Sequence, residues 1–196
     1  MEDTDRSLVQ AHLGGDRTAF AELVRRHGDH LLGYLTRVCG DREQAEDFFQ
    51  ETFRRVHEKA HTLRGNQFKG WLYTIATHVA LDGFRRRTKH RVISLDQSLD
   101  CDGGSCQAHS TVTVAESCPD PSDVAVREEQ KEQVRKALDS LPAKQRAALV
   151  LAYYQQLSYR QVAEVMGCSM GAVRQHMFRA LATLARALPD VSRATE

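Results

Sequence analysis

Apolar residues recur every three to four positions along this chain, in two blocks separated by an aperiodic stretch, and no segment alternates as a half-buried strand would. That pattern commits the chain to an all-α fold. In the first block, Leu8, Val9 and Leu13 predict a short helix over 7–14. Phe20, Leu23, Val24, Leu31, Leu32, Leu35 and Val38 give 17–39 a broad apolar stripe that stops at Gly40-Asp41. A third helix over 42–60 turns Ala45, Phe48, Phe49, Thr52, Phe53 and Val56 inward. Asp41 with Gln44 three residues on reads as its capping box. After a polar loop, TLRGNQ at 62–67, a helix over 68–87 packs Trp71, Leu72, Ile75, Ala76, Val79 and Leu81.

Residues 88–126 lose this periodicity and are dominated by Asp, Ser, Gly, Cys and Thr. A loop that long inside one compact domain is uncommon, so the chain reads as two small helical domains joined by a flexible acidic linker. The divisions expected are 5–91, 92–122 and 123–190. In the second block, 124–140 is amphipathic through Val126, Val134, Ala137 and Leu138, and Pro142 opens 142–155 from a first helical turn. Ser158 caps 159–166. A turn, Gly167-Cys168-Ser169, follows, and Ser169 caps 170–188 with Val173, Met177, Leu181, Leu184 and Leu188 inward. Two helices around a short glycine turn make a helix-turn-helix, whose second helix presents Arg174, Gln175, His176, Phe178 and Arg179 outward. Arg and Gln there can bond base edges or phosphates in a major groove. The same pattern also fits a helical hairpin with a solvated basic face.

Charge is distributed as unevenly as periodicity. The net charge is +1, but 53–91 holds ten Lys/Arg against two acids, +8, while 92–132 holds nine acids against two bases, −7. Phe68, Trp71, Tyr73 and Phe84 are interleaved with the cations, a composition suited to phosphates and stacked bases. A solvated helix face over core aromatics has the same composition. With 41% hydrophobic and 27% charged residues the class is soluble globular, and 196 residues allow one or two domains. No run of apolar residues is long enough to span a bilayer, and the start, MEDTD, is no secretory leader. Five scattered cysteines form no disulfide framework, so a reducing cytoplasm is expected. Cys39 and Cys168 sit in apolar helical contexts as packing residues, and His27 and His30 read as core or surface histidines. Neither a nucleophile–base pair nor a nucleotide-hydrolysis motif is present, so no enzyme is expected.

Three ordered strings carry a resemblance to the extracytoplasmic-function group of bacterial RNA polymerase sigma factors. DREQAEDFFQETF at 41–53 is similar to that family's core-polymerase-binding segment. FKGWLYTIA at 68–76, followed by LDGFRR at 81–86, is similar to its promoter-melting helix. LPAKQR at 141–146, LSYRQVA at 157–163 and GAVR at 171–174 are similar to its fourth conserved region. The resemblance implies that Asp47, Gln50 and Glu51 grip the clamp helices of the largest polymerase subunit. It implies that Arg64, Asn66, Gln67, Lys69, Trp71, His78, Arg85 and Arg86 serve the minus-ten element. The 62–67 loop captures a flipped base, with Asn66 and Gln67 offering amides. Arg174, Gln175, His176, Phe178 and Arg179 serve the minus-thirty-five element. The partners implied are core RNA polymerase, promoter DNA and, when idle, an anti-sigma protein. The chain would act as a monomer, with no membrane insertion and no cofactor. Three positions depart from the family's pattern: His57 stands where Trp is frequent, His78 where Asn is frequent, and Ala172 where Thr is frequent.

Two other readings remain open at this level. A dimeric helix-turn-helix regulator acting without polymerase accounts for the C-terminal motif but leaves the +8 segment unused. A metal or redox sensor could use Cys101, Cys106, His109 and Cys118, although the spacing matches no familiar zinc template.

Overall fold

The computed structural model describes residues 2–63, 65, 67–93 and 121–188. Every regular element among them is helical: α1 (Glu2–Leu13), α2 (Arg17–Cys39), α3 (Arg42–Lys59), a single 3₁₀ turn (Ala60–Thr62), α4 (Phe68–Ile93), α5 (Pro121–Asp139), α6 (Ala143–Tyr153), α7 (Tyr159–Met166) and α8 (Met170–Ala187). The linker expected over 92–122, with its cysteines and His109, falls largely outside the described residues. So do Arg64 and Asn66.

In the N-terminal lobe, α2 packs on α1 and α3, and α3 packs on α4. Leu23, Leu31, Leu35, Val38, Ala45, Val56, Phe68, Leu72 and Ala76 close its core at 3% exposure or less. Each fully buried Leu or Phe contributes about 1.5–3 kcal/mol relative to an exposed one. One polar chain runs through this core. The Thr77 hydroxyl donates to the Tyr73 carbonyl at 2.7 Å, so Tyr34, 2.7 Å from the Thr77 oxygen, must be the donor of that second bond. Gly83 lets α4 lie on α3, because a Cβ there would overlap the Phe48 ring.

Several element boundaries differ from the sequence expectation. Helix α1 starts five residues early because Asp5, only 6% exposed, pairs with Arg26 (3.3 Å) and His27 (2.9 Å) of α2. Leu13, expected inward, is 54% exposed at the exit of α1. No breaker follows Arg87, so α4 continues to Ile93. Pro142 is the N-cap of α6 and not its first residue. At α3 the cap bond runs from the Glu43 backbone N–H to the Asp41 carboxylate, and Gln44 is buried instead of closing a box. A capping box does form at α7, between Ser158 and Gln161.

In the C-terminal lobe, α6, α7 and α8 pack against one another. Gly167 ends α7 at φ +62°, a left-handed conformation that glycine adopts without a Cβ penalty, and its N–H closes on the Ala163 and Glu164 carbonyls. The inner stripe of α8 is Val173, Met177 and Ala180, with Leu184 half-buried. Leu181 falls about 100° off that stripe and is exposed, against expectation. The two lobes touch: α7 lies on α4, and α6 lies on α2.

Candidate nucleic-acid and polymerase interface

The acidic patch on α3 divides by side chain. Asp47 and Gln50 are exposed on the outer face. Glu51 is half-buried and already committed: Arg54 donates to both its oxygens at 2.7 Å, and Arg55 donates at 2.6 Å. The Arg54 guanidinium, more than Arg55, holds the Glu51 carboxyl down at about 2, against some opposition from burial. Glu51 is therefore an organiser of two cations, and Asp47 is the exposed carboxylate of this patch, with no ion pair among the described residues.

On α4 the exposed face carries Lys69, His78, Arg85, Arg86 and Arg87, with Gln67 exposed just before the helix. Arg85 leans on Asp82 at 3.2 Å. The interleaved aromatics do not share this face. Phe68 and Tyr73 are buried at 1% and 2%, and Phe84 meets Phe48 edge-on, 6.0 Å between ring centres. Trp71 is half-buried, tilted against Phe68 at 5.9 Å, and is the aromatic that reaches a cleft. That cleft encloses about 550 Å³ between the end of α3, the 3₁₀ turn and α4. Arg55, Lys59 and His61 supply one wall; Trp71, Thr74, Ile75 and His78 supply the other. Sequence reading found Trp71 and His78 but missed Arg55, Lys59, His61, Thr74 and Ile75. Their convergence depends on how α3 crosses α4, which no local string encodes.

The helix-turn-helix presents Arg174, Gln175, Phe178 and Arg179 to solvent, with Phe178 at 74% exposure. An aromatic ring so exposed on a helix otherwise well packed fits contact with a thymine methyl or a sugar. His176, grouped with these residues by sequence, is half-buried. Its Nδ1 is buried with no partner among the described residues. Burial, then the charges of Lys144 and Arg179, push its pKa down.

Contacts between the lobes surround these faces. Arg37 of α2 stacks its guanidinium over Tyr154, 4.4 Å from the ring centre. Gly40 caps α2 at φ +75°, and the Asp139–Arg146 ion pair (2.7 Å) sits so close that a Cβ on Gly40 would overlap the Asp139 carboxylate. Arg146 is 7% exposed, and its Nε has no partner among the described residues. Beside it, burial raises the Cys39 thiol to about 12, which makes it a packing group with no reactive thiolate. The turn at Gly167 lies near His78: a Cβ added there would come within 3.6 Å of His78 Nε2. Among the described residues no cluster of three or more His, Cys, Asp or Glu could hold a metal, and no helix is long and apolar enough to cross a membrane. Cys101, Cys106, His109 and Cys118 lie outside the described residues.

Comparison with known proteins matches both lobes. Residues 23–90 match the family described as Sigma-70 region 2, and residues 131–184 match Sigma-70, region 4. Over 193 residues the chain is 31% identical to the RNA polymerase sigma-H factor of Pseudomonas aeruginosa, covering 98% of this chain and 97% of that protein. It is 31% identical to the ECF RNA polymerase sigma-E factor of Haemophilus influenzae, covering 90% and 91%. It is 33% identical to the ECF RNA polymerase sigma factor SigE of Mycolicibacterium smegmatis, over 84% of this chain but 61% of that protein. In fold it resembles the sigma factor RpoE solved with the anti-sigma factor NepR from Bartonella quintana, at TM-score 0.67 and 21% identity over 87% of this chain and 97% of that one.

Proposed function

Because the chain belongs to the extracytoplasmic-function group of RNA polymerase sigma factors, we propose a division of its surface among three tasks of transcription initiation. It works with core RNA polymerase and promoter DNA. It is a dissociable initiation subunit, and nucleotide addition belongs to the polymerase. Its site of work is therefore the cytoplasm, and an anti-sigma protein is the partner expected when it is idle.

The N-terminal lobe docks on the polymerase through α3. Asp47 and Gln50 make the direct contacts, and Glu51 aligns Arg54 and Arg55 beside them. Arginine–carboxylate pairs are the natural chemistry of such a junction. The α4 face opens the promoter. Lys69, Arg85 and Arg86 neutralise phosphates, the cleft beside Trp71 receives a base leaving the stack, and Arg64, Asn66 and Gln67 contribute to contacts with the same promoter element. Extraction costs a few kcal/mol, about what stacking and hydrogen bonds in a pocket return. Binding energy thus performs the melting. The C-terminal lobe anchors upstream: Arg174, Gln175, Phe178 and Arg179 meet the minus-thirty-five element, with His176 behind them.

The observation that carries this reading is the presence, on one chain, of a basic face with a cleft and a separate helix-turn-helix with an outward Arg-Gln-Phe-Arg surface. Run-off transcription with core polymerase tests it. The wild-type chain should confer start-site choice. Arg174→Ala should impair use of the upstream element, and Asn66→Ala should alter preference in the melted segment. A chain that neither binds core polymerase nor directs initiation defeats the reading.

A further inference from the structure

Two histidines remote in sequence meet nitrogen to nitrogen where α1 ends. His12 Nε2 of α1 and His57 Nδ1 of α3 lie 3.0 Å apart. With both rings neutral, one nitrogen donates its proton and the other accepts. The ring centres are 4.9 Å apart and the planes are inclined at 50°. Two rings joined nose to nose across that gap would hold their centres farther apart, so the ring axes are bent off the line between the nitrogens. Phe20 touches both rings, its centre 4.8 Å from that of His12 and 5.6 Å from that of His57. His12 is half-buried and His57 exposed, so the pair opens to solvent. It is separate from the cleft beside Trp71, because His57 lies about 200° round α3 from Arg55 and Lys59, which line that cleft.

A metal ion imposes nearly the same separation on two neighbouring ligands. With imidazole nitrogens about 2.0–2.1 Å from the ion, ligands at a right angle stand about 2.9 Å apart, and ligands at the tetrahedral angle about 3.3 Å apart. The observed 3.0 Å falls at the right-angle end, the tetragonal geometry that Ni²⁺ and Cu²⁺ favour. Coordination takes both lone pairs at once. Each imidazole supplies one by carrying its proton on the far nitrogen, His12 Nδ1 or His57 Nε2. The axes are already bent, and a further turn about the Cβ–Cγ bonds brings them to a common point. Exposed His57 has room for that turn. Two protein ligands are fewer than a closed structural site employs, so water fills the remaining positions and the affinity is moderate.

We propose that His12 and His57 form a binding site for a late divalent transition-metal ion, held by His12 Nε2 and His57 Nδ1 with water completing its coordination. The ion staples the exit of α1 to the last turn of α3, two elements that each pack mainly on α2. The proposal is independent of the assignment of surfaces to polymerase and promoter.

The test titrates the purified full chain with nickel chloride, since Ni²⁺ leaves thiols unoxidised, and follows binding by calorimetry. His12→Gln and His57→Gln should each weaken Ni²⁺ binding by roughly tenfold or more, because one ion held by two side chains loses its intramolecular second contact. The double variant should lose little beyond either single one, the mark of a shared ion. Mn²⁺ should bind more weakly than Ni²⁺. Hydrogen exchange reads the staple directly: Ni²⁺ should slow exchange of the α1 amides in the wild type and not in His57→Gln. The metal-free unfolding midpoint of His57→Gln, a change at an exposed position, separates lost binding from lost fold. Affinity unchanged in either single variant overturns the proposal, as does a wild-type α1 whose exchange ignores Ni²⁺. Losses that simply add would mean two separate surface histidines and overturn it as well. Near-ultraviolet thiolate-to-nickel absorption, with affinity indifferent to both histidines, would give the ion to the linker cysteines instead.

Discussion

Gln156 stands in the α6–α7 loop with φ +52°, the one positive-φ residue other than glycine among the described residues. A side chain in that region crowds the following carbonyl, at a cost of about 1–2 kcal/mol. Gln156→Gly should therefore stabilise the chain by about 0.5–1 kcal/mol once the greater freedom of unfolded glycine is counted. Thermal unfolding measures it, and a lowered midpoint would contradict the strain assignment. His176 offers a second residue-scale prediction, this one in pH. Its folded pKa is pushed below the ordinary imidazole value by burial first, then by Lys144 and Arg179. The unfolded chain therefore takes the proton first. Stability is full above the unfolded pKa of about 6.5 and declines as pH falls through it toward the folded value. His176→Gln should lose less of its unfolding midpoint than wild type on going from about pH 7.5 to 5.5. Equal losses would show that His176 does not carry that dependence. Sequence placed His176 with the DNA-facing residues because it lies among them in the chain. Helical phase turns it inward, toward Lys144.

At the scale of elements, the strongest constraint is a missing atom. Gly83 sits mid-helix in α4, where alanine would be favoured by about 1 kcal/mol on propensity alone. Its Cβ would overlap the Phe48 ring, which Phe84 meets edge-on. Gly83→Ala should accordingly destabilise by about 1–3 kcal/mol, the usual cost of overpacking, despite its better helix propensity. A midpoint equal to or above wild type in thermal unfolding would mean that Phe48 moves aside freely. The helices were legible where a 3.6-residue stripe meets a cap or a stop: Gly40 after α2, Gly167 after α7, Ser158 and Ser169 before α7 and α8. The early start of α1 was not legible, since it rests on Asp5 reaching Arg26 and His27 some twenty residues away. The aromatic residues misled for a related reason. Phe68 and Tyr73 share a helix with the cations, but their angular positions point them into the core, and composition carries no angle. The candidate site divides the same way: the exposed Arg174, Gln175, Phe178 and Arg179 follow from helical phase, while the α3 wall of the cleft follows from packing.

For the whole molecule, the arrangement of the lobes came from neither periodicity nor motif. It depends on pairs remote in sequence: Arg37 over Tyr154, Gly40 against Asp139 and Arg146, and His78 near Gly167. The approach of α7 to α4 sets the helix-turn-helix turn near His78, so the closed chain crowds part of the surface assigned to the melted strand. If reading two promoter elements requires the lobes to part, a competent state populated only in fraction weakens apparent affinity by that fraction. The Arg37–Tyr154 pair is one modest part of the contact between the lobes. A half-exposed cation–π pair contributes about 0.5–1 kcal/mol, a factor of roughly two to five in the open fraction. Removing it in the double variant Arg37→Ala, Tyr154→Ala should raise the radius of gyration of the free chain in small-angle scattering. It should also strengthen core-polymerase binding by roughly two- to fivefold if the polymerase takes only the parted form. Adding Gly40→Ala should push further the same way, because the new Cβ strains a left-handed backbone and displaces the Asp139–Arg146 pair. A radius of gyration unchanged in all these variants would mean that the contacts do not govern the spacing of the lobes. An expanded chain with unchanged polymerase affinity would instead mean that opening is no part of the energy of docking.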